Sequence, residues 1–143
     1  MSVAKLAGAA VVVAVVYLIW NGHRQHAEAA AVRALTDSHG FMELIPPDGG
    51  RPNEVMILAA VNCPRDGAQR ADRMAREMAA LGIPYVRSSH ASVSPPVSGD
   101  LDAFVRRYND VMNSEVPIVF VNGRVKSNPS VEDVVAEYEL AGR

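Results

Sequence analysis

The chain contains a single cysteine, Cys63, in the run Asn62-Cys63-Pro64-Arg65-Asp66. One thiol cannot close an intramolecular disulfide or form a Cys-x-x-Cys redox pair, and a zinc site would have to be built without paired thiolates. Any sulfur chemistry here is therefore single-thiol chemistry. The apolar run before Cys63 reads as a strand and the segment after it as a helix. The unpaired N–H groups and partial positive charge of a helix start can stabilise a thiolate, which makes Cys63 the candidate nucleophile. A lone cysteine is equally at home as a small buried apolar residue. Asp66 is placed to cap the helix, but it draws on the same positive end and repels a neighbouring thiolate. Arg65 and Arg70 can offset that charge, or simply form the helix's solvated face. Among four histidines only His23 and His26 lie three apart, and with no third ligand they read as polar residues beside an apolar segment, so no metal is expected.

The elements that must position Cys63 follow from periodicity. Val55 to Val61 is a nearly unbroken apolar run, expected of a strand covered on both faces. Ala68, Ala71, Met74, Ala75 and Met78 form one face of a helix that Gly82 stops. Ile83 to Arg87 reads as a second strand, and Ser94-Pro95-Pro96 keeps the following segment irregular. Leu101, Phe104, Val105, Tyr108, Val111 and Met112 fall on one stripe of a second helix, with Ser98 or Asp100 placed to cap it. Pro117 to Val121 is a third strand, and Asn122-Gly123 predicts a tight hairpin into a fourth at Arg124 to Lys126. Asn128-Pro129 then predicts a cap and first turn for a last helix, with Val131, Val134, Val135 and Tyr138 inward. The order is β-α-β-α-β-β-α, an α/β fold with a mixed four-stranded sheet flanked by helices, and right-handed crossovers predict that the first three strands run largely parallel.

Upstream, Leu6 to Trp20 carries no charge, and extension back to Val3 gives a stretch just long enough to span a bilayer. Tyr17 and Trp20 sit where interfacial aromatics anchor such a helix. A cleaved export signal is the competing reading, with Lys5 as its basic end and Ala27-Glu28-Ala29 as a small-x-small site, but Arg24 and the polar gap disfavour it. The organisation expected is a single-pass transmembrane anchor at 1–22, a stalk helix and Pro/Gly-rich linker at 23–52, and a folded domain at 53–143. Phe41 to Ile45 is a short strand or an apolar strap before the Pro46-Pro47-Asp48-Gly49-Gly50 breaker. Arg24 and Arg33 after the span tilt the domain towards the cytoplasm, whereas the export-like start tilts it, with slightly more weight, towards the periplasmic side. A net charge of -2 supplies no basic field for nucleic acid.

Asn62-Cys63-Pro64-Arg65-Asp66 and Glu115-Val116-Pro117-Ile118-Val119-Phe120-Val121-Asn122-Gly123-Arg124 together resemble the Cys-Pro-x-Cys site and the Thr-Val-Pro strand of glutaredoxins. The resemblance covers 54–140 and implies a thioredoxin-like fold in which Cys63 is the thiol. It implies a cis peptide at Val116-Pro117 and a backbone edge at Val116 that pairs with glutathione or an extended peptide. Pro64, Arg65, Val116, Pro117, Ser127, Asn128 and Asp133 are then the candidate substrate-binding residues. Asp66 stands where dithiol members carry their second cysteine. Ala60 stands where the family has a basic residue, and Ser127-Asn128 where it has a glycine pair. Glutathione is the cofactor implied, and single-cysteine members also hold an iron-sulfur cluster between subunits. The expectation is a membrane-tethered, glutaredoxin-like protein with a binding or accessory thiol-redox role. The alternatives are an active single-thiol, glutathione-dependent oxidoreductase acting on mixed disulfides or a protein thiol partner, and a non-catalytic interaction module.

Overall fold

A computed structural model describes Tyr17, Thr36 and residues 38–140 of the chain. Apart from Tyr17, the proposed anchor and stalk lie outside the described residues. Among the described residues no helix is long and apolar enough to cross a membrane.

The domain is built from β1 (Met42–Glu43), β2 (Val55–Leu58), α1 (Asp66–Ala80), β3 (Tyr85–Ser88), α2 (Leu101–Met112), β4 (Ile118–Val121), β5 (Arg124–Ser127) and α3 (Val131–Leu140). The strands form one mixed sheet in the order β1-β5-β4-β2-β3. All four residues of β2 and all four of β4 are buried, because these central strands are covered on both faces. Alternation then sorts their side chains. Val55, Ile57, Val119 and Val121 join Ala71, Met74 and Met78 of α1 and Val134 of α3 in one cluster. Met56, Leu58, Ile118 and Phe120 join Tyr108 and Val111 of α2 in the other.

The structure corrects the expected strand directions. β3 runs parallel to β2, but β4 runs antiparallel to β2, with Ile57 opposite Val119. The reason is the long segment between β3 and α2. Ala91 and Val93 of that segment pack against the same cluster as α2. Segment and helix together make an out-and-back excursion, so the chain re-enters the sheet from the end at which β3 left it. The crossover rule applies where a strand feeds directly into a helix that returns to a parallel neighbour.

The sheet also has five strands where four were expected. β1 pairs antiparallel with β5, Met42 opposite Val125, and the Leu44 N–H donates to the Gly123 carbonyl at 3.2 Å. Phe41 is completely buried in the first cluster and Leu44 is buried in the second. The segment read as a short strand or an apolar strap, and placed ahead of the folded domain, is thus a strand of the sheet: it supplies core side chains and covers the outer edge of β5. The breaker cluster after it is also tied down. Asp48 donates its N–H to the Ser92 carbonyl at 2.7 Å, and its carboxylate accepts from the N–H and hydroxyl of Ser94, each at 3.2 Å.

The expected hairpin forms at Asn122-Gly123, whose φ values of 54° and 73° are those of a primed turn. The Asn122 side-chain amide donates to the Glu137 carbonyl at 2.6 Å, fixing the turn to α3. Asp100 caps α2 by accepting from the Ala103 N–H at 3.0 Å. Only part of the α2 stripe is covered: Tyr108 and Val111 are buried, while Leu101 and Val105 are exposed. The cap of α3 differs from expectation. Ser130 and Asp133 bond reciprocally, the Ser130 N–H to the carboxylate and the Asp133 N–H to the hydroxyl, both at 3.1 Å. Asn128 lies instead in a left-handed turn with φ 44° and gives its N–H to the Pro117 carbonyl.

Replacing Phe41 by alanine should lower stability by about 3–5 kcal/mol, the range for truncating a buried aromatic side chain. Val97→Ala, on a fully exposed side chain, should stay within about 0.5 kcal/mol. Urea denaturation midpoints at unchanged slope would check both.

Candidate functional site

The turn that carries Cys63 begins where β2 leaves the sheet. Asn62 takes a left-handed conformation, φ 56°, which asparagine tolerates better than most residues, and turns the chain towards α1. Cys63 is a free, half-buried thiol between exposed Asn62 and exposed Pro64. The helix starts later than the sequence suggests. Arg65 is the capping residue, with extended backbone and no side-chain cap bond, and Asp66 is the first helical residue. Asp66 therefore does not cap the helix, and Pro64 lies ahead of it. The Gln69 side-chain amide reaches back and donates to the Pro64 carbonyl at 3.0 Å, tying the turn to the first part of the helix.

The second half of the site is the segment entering β4. The Val116-Pro117 peptide is cis, Pro117 is fully buried and Val116 is partly exposed. Three consecutive carbonyls here are each claimed by the chain itself. The Ser127 hydroxyl donates to Glu115 at 2.6 Å, Arg70 Nη2 to Val116 at 2.8 Å, and the Asn128 N–H to Pro117 at 2.7 Å. Ser127 and Asn128 thereby hold the Val116-Pro117 step in place. The left-handed Asn128 supplies the backbone freedom that a glycine would give at that position.

Two residues of α1 join these halves. A Cβ on Gly67 would fall inside the Val116 side chain and 3.1 Å from its carbonyl oxygen, so the helix can lie against Val116 only with glycine there. One turn on, Arg70 Nη2 also binds Glu115 Oε1 at 2.8 Å, so one nitrogen bridges the Glu115 carboxylate and the Val116 carbonyl. This corrects the reading of Arg70 as part of a solvated face. Sequence reasoning did not single out Gly67 or Glu115. The only available signal was the combination of an early helical glycine, normally disfavoured, with an acid beside the Val-Pro pair.

Asp133 is drawn into a different arrangement. Its carboxylate accepts from Lys126 Nζ at 2.7 Å as well as from the Ser130 N–H, and Lys126 also reaches the His39 carbonyl at 2.6 Å and lies over the Phe41 ring. The hydrogen bond from Lys126 is the main cause that holds the Asp133 carboxyl below its ordinary pKa. Of the candidates, Val116, Pro117, Ser127 and Asn128 are thus brought together beside α1. Cys63, Pro64 and Arg65 lie on the turn that leads into that helix, and Asp133 is committed to Lys126.

The arrangement presents a half-buried thiol on the turn ahead of the helix cap, and a helix that meets the Val116-Pro117 step at Gly67. It contains no second thiol, Cys63 being the single cysteine of the chain. Among the described residues no group of three His, Cys, Asp or Glu side chains could hold a metal ion. Two clefts, of ≈ 420 and ≈ 590 Å³, open beside the Asn122-Gly123 turn at the far end of β4 from Pro117, and neither is lined by Cys63 or Val116. No protein-family model, no curated protein and no solved structure matches this chain.

Gly67→Ala should destabilise the domain by about 1–3 kcal/mol through overpacking against Val116, despite alanine's better helix propensity. Adding Val116→Ala removes the obstructing methyl and should recover most of the loss, read as a coupling energy in a double-mutant cycle. For Asp133, a depressed folded pKa means stabilisation present above the unfolded carboxyl range and lost as pH falls through the folded value. Asp133→Asn should therefore cost about 1 kcal/mol at neutral pH, after discounting for partial exposure. The gap to the parent protein should close in acid, as thermal unfolding at stepped pH would show.

Proposed function

We propose that this chain carries a thioredoxin-like domain of glutaredoxin type, tethered to a membrane by its N-terminal apolar segment, with a binding or accessory thiol role. The observation that carries the reading is the seating of Gly67 on Val116, which joins the Cys63 turn to the cis-proline step. The sheet supports it. A mixed sheet with helices packed on both faces is the α/β arrangement that the resemblance implies, although β4 runs opposite to the direction expected of it.

An accessory role is favoured over turnover because the acceptor half of the Val116 edge is already occupied by Arg70. A peptide ligand pairs through both backbone groups of such an edge. Asp66 in place of a second thiol also removes the intramolecular route for resolving a mixed disulfide. The reading of Cys63 as an active single thiol, serving a glutathione-dependent oxidoreductase, is supported by its partial exposure just ahead of a 15-residue helix.

Kinetics and binding separate the two. Under the accessory reading, full-length protein clears a glutathionylated peptide no faster than the uncatalysed reaction. Reduced glutathione or an extended peptide still shifts the backbone NMR signals of residues 63–67 and 116, in the parent and in Cys63→Ser alike. Turnover abolished by Cys63→Ser would instead select the oxidoreductase. A partner captured equally well by both proteins, without any thiol ligand, would select a pure interaction module.

A further inference from the structure

Arg70 uses its donors unevenly. Nη2 serves both Glu115 Oε1 and the Val116 carbonyl, whereas Nε is buried and makes no hydrogen bond. A guanidinium presents five N–H donors in a fixed plane and binds a carboxylate best through two of them at once. Glu115 engages it through one contact only. The two partners also differ in anchorage: the Arg70 side chain is 33% exposed and that of Glu115 is 65% exposed. An ion pair with so exposed an acid is worth little and is readily exchanged. Asp66 and Arg73, one turn away on either side along α1, are both exposed and neither is paired with Arg70.

We propose that Arg70 is a carboxylate receptor beside the Cys63 turn, and that Glu115 is the chain's own plug in it. The ligand class is a small thiol peptide with a free carboxylate. Its carboxylate would displace that of Glu115 from Arg70. This deepens the binding reading proposed above and rests on it. It assigns specificity to two residues outside the Cys-Pro-Arg-Asp motif, and it makes the affinity of the site depend on removing an internal competitor.

The test uses full-length protein in a Cys63→Ser background, so that only non-covalent binding is read, with reduced glutathione and its diethyl ester as probes. Glu115→Ala should tighten glutathione binding about fivefold, the factor corresponding to a competing surface pair of about 1 kcal/mol. Binding of the ester should not change. Adding Arg70→Gln should abolish the gain, and Arg70→Lys, which keeps the charge without the fork, should retain part of it. Unfolding midpoints of the Arg70 variants would show that the domain is intact. If glutathione perturbs residues 63–67 and 116 equally in the parent and in Glu115→Ala, the plug is overturned and the binding reading stands. A gain shared by the ester overturns the carboxylate receptor. Absence of binding by either probe in every variant overturns the binding reading and the inference with it.

Discussion

The approach of α1 to the segment entering β4 is the constraint on which the rest of this domain depends. Gly67 has no side chain because Val116 occupies the space, and Arg70, one turn later, closes the contact from the solvent side. A helix start held this way cannot shift along its axis without driving backbone into Val116. The Cys63 turn, which leads into that helix, is fixed by the same contact.

The packing around it explains why the contact can be so close. β2 and β4 are neighbours in the centre of the sheet, and their alternating side chains feed two apolar clusters, one under α1 and α3 and one under α2. Burial on both faces leaves the central strands little freedom, so their ends are rigid platforms. Cys63 follows one such end and Pro117 precedes the adjacent one, because β2 and β4 run in opposite directions. On β5, Lys126 gathers the His39 carbonyl, the Phe41 ring and the Asp133 carboxylate, joining the segment before β1, β5 and the start of α3. The two regions do different work: the ends of the central strands shape the candidate site, and the β5 side completes the core.

The polar groups at the candidate site are mostly satisfied from within. The carbonyls of Glu115, Val116 and Pro117 each accept a hydrogen bond from Ser127, Arg70 or Asn128. Such an arrangement lowers the cost of burying Pro117 and fixes the step, but it also removes acceptors that a ligand would otherwise use. The proposed accessory role and the proposed receptor at Arg70 both follow from this self-occupancy. Neither depends on Cys63 being unusually reactive.

Local pattern was enough for the elements and for the turns. The apolar runs at β2 and β4, the helical faces of α1 and α3, the Asp100 cap and the Asn122-Gly123 hairpin all depend on neighbours in sequence, and the structure bears them out with small shifts at their ends. Whatever depended on distant partners was decided by the tertiary structure. Met42–Glu43 became a strand because β5 had an open edge, and Phe41 became core because Lys126 and the first apolar cluster surround it. β4 reversed direction because the segment before α2 packs back across the sheet, and Ser130 rather than Asn128 capped α3 because Asn128 was drawn into a turn against Pro117. The same division runs through the candidate site. Cys63, Val116 and Pro117 could be named from a short motif, whereas Gly67, Arg70 and Glu115 acquire their roles only from a contact spanning more than forty residues, which no local rule encodes.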